Sequence, residues 1–241
     1  MSGHSKWHKI QHAKASTDAK RGKIFTKHAK LIAIAARNGS DPSMNPGLRV
    51  AIDNARSDNM PMSNIDRAIK KGSGEFKSGE NFVEVLYEGF GHGGTAILIK
   101  ALTDNRNRTI TNLKIIMGKK GGTMGASGSV NYLFNLNGVI GIKKKDGVDV
   151  EEVELAAIDA GASDVVVDDD VVYVYTEANL LMQVRNNLEE AGFKPDSAKL
   201  VYIPQNEVRI EDEDTRKKFF NLIEALEDDD DVVDVFTNYE E

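Results

Sequence analysis

Apolar residues recur every three or four positions between Thr17 and Arg37, a stretch without proline and rich in alanine and lysine. Phe25, Ala29, Ile32 and Ala36 share one side of the helix this period predicts, and Lys20, Lys23, Lys27 and Lys30 align on roughly the opposite side. Leu31 and Ile34 fall nearer the lysines, so the last turns bury more than one side. Asn38-Gly39 supplies the stop. A second helix starts at Pro46, a favourable first-turn residue, with Leu48, Ala51, Ile52 and Ala55 inward. A third starts at Ser63, where Asp66 three positions later resembles a capping box, and Gly72 ends it. Three short helices with one apolar face each pack as a small bundle.

Gly72 to Gly79 reads as a hinge, and beyond it the period changes. Phe82–Tyr87 and Thr95–Leu102 are strand-like across the turn-rich Gly89–Gly94, and a helix follows from about Thr109 to Met117. Residues 138–204 then alternate as strand, helix, strand, strand, helix, strand, which is the ferredoxin-like split arrangement. The C-terminal segment adds a strand, a helix (Thr215–Glu227) and a last strand (Val232–Phe236). A sheet built only from 82–133 would lack a second covering helix, so the C-terminal segment is expected to return to it. The predicted class is α+β and multidomain: a three-helix bundle over 1–79, a discontinuous ferredoxin-like α/β domain over 80–133 plus 205–241, and an inserted acidic ferredoxin-like domain over 134–204.

Composition agrees with several ordinary cores, since 241 residues exceed one compact domain and 40% of them are hydrophobic. There is no cysteine, which removes disulfides, thiolate metal sites and cysteine nucleophiles. The longest aliphatic run, Leu31–Ala36, is too short to cross a bilayer, and the chain opens on polar and basic residues, so a cytoplasmic protein is expected. The net charge of -7 conceals a strong polarity. Residues 1–79 hold 15 Lys+Arg against 6 Asp+Glu, a balance of +9, whereas 146–241 hold 7 against 28, a balance of -21. A basic end of this kind points to an anionic partner, nucleic acid before a membrane surface.

The candidate chemistry is therefore phosphate binding. Lys6, Lys9, Lys14, Lys20, Arg21, Lys23, Lys27 and Lys30 fall within thirty residues, with Asp18 the lone acid. Clustered cations of this kind bind polyanions by releasing condensed counterions. Trp7 offers a stacking surface, and His12 and its neighbours His4 and His8 suit phosphate hydrogen bonds better than a metal, having no supporting carboxylate. Arg67, Lys70 and Lys71 on the third helix form a secondary basic patch, and Arg106 and Arg108 stand at a strand-to-helix junction. Reversing the charge of Lys20, Lys23, Lys27 and Lys30 is expected to weaken binding and change folding little. The glycine-rich Gly89–Gly94 and Gly118–Ser129 lack the phosphate-loop order and read as tight turns, and the acidic run Asp228–Asp231 reads as a solvated turn. Asp104, Glu84 and Glu88 around a metal would make a nuclease, but no motif supports catalysis; no cofactor, no small-molecule substrate and no membrane partner are expected.

Several long strings resemble the YebC family: GHSKWHKIQHAKASTDAKRGKIFTKHAKLI at 3–32, NMPMSNIDRAIKKGSGE at 59–75, YEGFGHGGTAILIKALTDNRNRT at 87–109, GGTMGASGSVNYLF at 121–134 and ALEDDDDVVDVFTN at 225–238. The family carries the label "probable transcriptional regulatory protein" and includes the mitochondrial translational activator of cytochrome c oxidase subunit one. The resemblance implies an N-terminal helical domain and two α/β domains, the middle one discontinuous. It also implies a partner that is either DNA or ribosomal and transfer RNA at the ribosome, where some members relieve stalling at proline-rich stretches. Met62-Ser63 stands where relatives commonly have Lys-Asp, and Gly47 where many have Arg, which weakens the secondary patch slightly.

Overall fold

The computed structural model describes residues 18–75, 82–144 and 149–240, with side chains from residue 21 onward. Three helices come first: α1 (Asp18–Ala35), continued by one 3-10 turn over Ala36–Asn38, α2 (Pro46–Ser57) and α3 (Met62–Gly72). Ile32, Ala36, Leu48, Ile52, Ala55, Ile65 and Ala68 are buried together, with Phe25 and Ala29 packed against them, so the apolar period of α1 faces its partners. Gly39 follows the helix at φ 132°, a backbone open to glycine. Asn45 begins α2 by accepting the Leu48 N–H at 3.0 Å and donates to the carbonyls of Ala35 and Gly39, so one amide ties the two helices. The capping box expected at Ser63 is not formed. Helix α3 begins at Met62 behind Pro61, which has no side chain to cap with, and the preset φ of proline starts the turn instead. Gly72 ends α3 as expected, being its last helical residue. A Cβ there would stand 2.2 Å from the Ala33 carbonyl oxygen, so its bare backbone is what lets α3 lie against α1.

Two four-stranded antiparallel sheets follow. The first takes the order β3-β1-β2-β9 from β1 (Val83–Phe90), β2 (Ala96–Thr103), β3 (Thr123–Met124) and β9 (Val232–Thr237). The second takes β5-β6-β4-β7 from β4 (Phe134–Lys143), β5 (Asp164–Val167), β6 (Val171–Glu177) and β7 (Ser197–Pro204). A short parallel pair, β8 (Val208–Arg209) with β10 (Tyr239–Glu240), closes the chain. Helices α5 (Val150–Ala160) and α6 (Leu181–Glu190) give the second sheet the split βαββαβ order of a ferredoxin-like unit. The first sheet does not follow that order. Its β1 and β2 are a direct hairpin, and its helices α4 (Arg106–Lys119) and α7 (Glu213–Glu227) come later in the chain.

Alternation along the strands explains how the two sheets meet. Ile97, Ile99 and Ala101 of β2 point to the core under α4 and α7, which also holds Leu113, Met117, Phe219 and Leu222. Ala96 and Leu98 point the other way, into a second core shared with Val139, Tyr173, Tyr175, Val201 and Phe236. The opposite side of the second sheet, Ile140, Val172 and Val174, packs under α5 and α6. The two sheets are thus stacked face to face, with helices on both outer surfaces.

Candidate nucleic-acid interface

Lys23, Lys27 and Lys30 of α1 lie along the C-terminal end of α7 and the acidic turn after it, because a helix end presents carbonyls without intrahelical partners and a negative dipole. Lys23 Nζ donates to the Asp228 carboxylate at 2.9 Å and to the Asp228 carbonyl at 3.1 Å. Lys27 Nζ donates to the Glu227 carbonyl at 2.9 Å. Burial lowers the Lys27 ammonium from its ordinary range, opposed by the nearby charges of Asp234 and Glu227. Lys30 Nζ reaches furthest, donating to the Asp230 carbonyl at 2.7 Å, the Asp231 carboxylate at 3.0 Å and the Leu102 carbonyl at 3.3 Å. The run Asp228–Asp231 is therefore a docking surface and not only a solvated turn.

Asp231 is the centre of this seam, with 5% of its surface exposed. Besides Lys30, its carboxylate accepts from Arg108 at 2.9 Å and from the Thr109 hydroxyl at 2.8 Å. Burial acts to raise its pKa, and the hydrogen bonds from Arg108, Thr109 and Lys30 outweigh that and hold it below the usual carboxylate range. Arg108 also pairs with Asp104 at 2.9 Å, while Asn105, not Asp104, caps α4 by accepting the Arg108 N–H. On the other side of the bundle α2 meets the second sheet. Arg49 pairs with Glu189, Asp53 with the buried Arg185 at 2.5 Å, and Asn54 exchanges two hydrogen bonds with the Ala198 backbone.

The remaining basic positions divide into two groups. Arg21, Arg67, Lys70 and Arg106 are exposed. Lys71 is half-buried, its ammonium 5.4 Å from the Phe82 ring centroid, and Lys30 lies 5.3 Å from the same ring. Arg37 donates to the Phe82 carbonyl at 2.8 Å. Val83 pairs with Thr103, so Phe82, Asp104 and Arg106 stand at one end of the first sheet, beside the C-terminal turn of α3. That end gathers cations from α1, α3 and α4. Lys6, Trp7, Lys9, His12 and Lys14 lie outside the described residues, as do His4, His8 and the side chain of Lys20.

Sequence reasoning missed three features of this region: Arg37 and Phe82 at the sheet end, the Asp231 node, and the loop-ordering role of Glu88, which it weighed only as a metal ligand. The three acids that a metal-dependent nuclease would need together are separate. Glu84 pairs with Lys100 at 3.0 Å and Asp104 with Arg108. Glu88 is buried, and its carboxylate accepts the backbone N–H groups of Gly128, Val130 and Asn131 at 2.6–2.9 Å. Burial acts to raise the Glu88 pKa, and these backbone donors bring it below the ordinary value. It orders the glycine-rich loop that reads in the sequence only as a turn. Among the described residues no group of three or more His, Asp or Glu is placed to hold a metal ion, and no helix is long and apolar enough to cross a membrane.

Comparison with known proteins agrees along the whole chain. Residues 5–75 match the model of the TACO1/YebC protein N-terminal domain, and 82–239 match that of the TACO1/YebC second and third domain. A probable transcriptional regulatory protein of Persephonella marina is 50% identical over 242 residues, with all of this chain and 96% of the relative aligned. One from Listeria monocytogenes is 48% identical, covering 100% of this chain and 99% of the relative. The crystal structure of a conserved hypothetical protein from Aquifex aeolicus superposes with a TM-score of 0.85 at 45% identity, over 94% of this chain and 93% of that one. With both models and near-complete alignments in accord, this chain belongs to the TACO1/YebC family.

Proposed function

We propose that the protein is a cytoplasmic, non-enzymatic regulator of gene expression that binds nucleic acid through its helical domain and the adjoining end of the first sheet. The observation that carries this reading is the segregation of charge, +9 over residues 1–79 against -21 over 146–241. Exposed Arg67, Lys70 and Arg106 stand on the basic side. The names of the relatives, probable transcriptional regulatory proteins, favour duplex DNA as the target. A second reading, structured RNA on the ribosome, is favoured by the make-up of α3. Its exposed positions include Ser63, Asp66, Arg67 and Lys70, and its one amide suited to pairing with base edges in a major groove, Asn64, is only half-exposed. Such a face suits recognition of shape and backbone.

The test uses the full chain with a labelled RNA hairpin and a DNA duplex of matched length, titrated over a range of salt. Binding should weaken steeply with salt, and Arg67→Glu with Lys70→Glu and Arg106→Glu should weaken it by about tenfold or more while leaving the thermal melt in place. Unchanged affinity in this variant would remove these residues from the interface. Turnover of either probe with added magnesium would remove the non-enzymatic part of the reading.

A further inference from the structure

The two attachments in this molecule differ in kind. The sheets meet through an apolar layer containing Leu98, Tyr173, Tyr175 and Phe236. The helical domain meets the α/β body mainly through charge and hydrogen bonds: three lysines on the end of α7, and Arg49, Asp53 and Asn54 on the second sheet's side, where Val50 adds an apolar contact. Lys23, Lys27 and Lys30 of the basic domain are thus partnered internally. Their partners are carboxylates and carbonyl oxygens, the same kind of oxygen acceptor that a phosphate offers.

From this we propose that the acidic turn is a built-in competitor for the polyanion: Asp228 and its neighbours hold Lys23, Lys27 and Lys30 closed, and a bound phosphate backbone takes their place as the α1 edge of the helical domain lifts from the turn, its α3 edge staying beside the sheet end. The inference rests on the nucleic-acid reading above. The Lys23–Asp228 pair is solvent-exposed on both sides, 39% and 56%, so salt and competing anions reach it readily. Lys30 is more enclosed, 13% against 7% for Asp231, and would release last. An apolar seam would offer a polyanion nothing to displace.

The full chain with Asp228→Asn tests this, compared with Asp168→Asn, which makes the same charge change in the turn before β6. Affinity for the RNA hairpin should rise about two- to fivefold in Asp228→Asn, the range expected for releasing one exposed pair. Asp168→Asn should stay near the parent. Because the chain has no cysteine, Ser40→Cys and Asn112→Cys, both at exposed positions, can carry a dye pair reporting the distance between the helical domain and α4. Energy transfer should change when hairpin is added and in Asp228→Asn without it. Tight, salt-sensitive binding with constant energy transfer and no gain in Asp228→Asn would overturn the latch and leave the binding reading standing. Absence of binding by every variant would overturn both.

Discussion

Asp231 shows how much one buried carboxylate can organise when its donors come from separate parts of the chain: Lys30 of α1, and Arg108 and Thr109 of α4, which face the turn before β9. Its folded pKa lies below the ordinary 3.8, so its contribution is complete above that pH and is lost as acid carries the pH down through the folded value. The full chain should therefore lose stability below about pH 4, and Asp231→Asn should flatten that part of the profile in urea melts at stepped pH. At neutral pH the same change leaves Lys30 and Arg108 facing an amide and should cost about 3 kcal/mol. A melt indifferent to Asp231→Asn at both pH values would show the network to be incidental. Glu88 acts the same way on three backbone donors, and Glu88→Gln, which points an NH2 group at N–H groups, should cost about 3 kcal/mol and loosen residues 125–131.

At the level of elements, periodicity is informative where a segment buries its own face and silent about what lies opposite. Phe25, Ala29, Ile32 and Ala36 can be assigned inward from spacing alone, and Val150–Ala160 and Asp164–Val167 keep their expected bounds. The lysine row is equally visible, but its partner is some 200 residues away in the chain, and no local pattern couples the two. The expectation that reversing those lysines spares the fold consequently fails on physical grounds, since reversed charges would face Asp228 and Asp231. Other signals are local and present in the sequence: Asn45 ahead of Pro46 is a cap signature, and Asn105 ahead of Arg106 another. Glu88 and the close approach at Gly72 have none, because both depend on tertiary placement. Gly72→Ala should drive a methyl against the Ala33 carbonyl and cost about 1–3 kcal/mol, read as a lower melting point; an unshifted melt would mean the helices part without penalty.

Over the whole molecule, the layer between the two sheets bears on how the protein comes apart. Leu98 and Phe236 are 0% and 1% exposed, so separating the sheets would uncover side chains as deeply placed as those of either outer core. Neither α/β unit can open alone without wetting that layer, and the two should therefore melt as one calorimetric event. The helical bundle has its own core around Ile32 and Leu48 and is joined mainly by ions and hydrogen bonds. In scanning calorimetry it should detach as a separate, lower transition that moves down with added salt, while the upper transition stays nearly still. Amide protons of β2 and β4, which face this layer from opposite sides, should then exchange at a common slow rate set by global unfolding. Two different rates would mean that the layer is a contact and not a shared core.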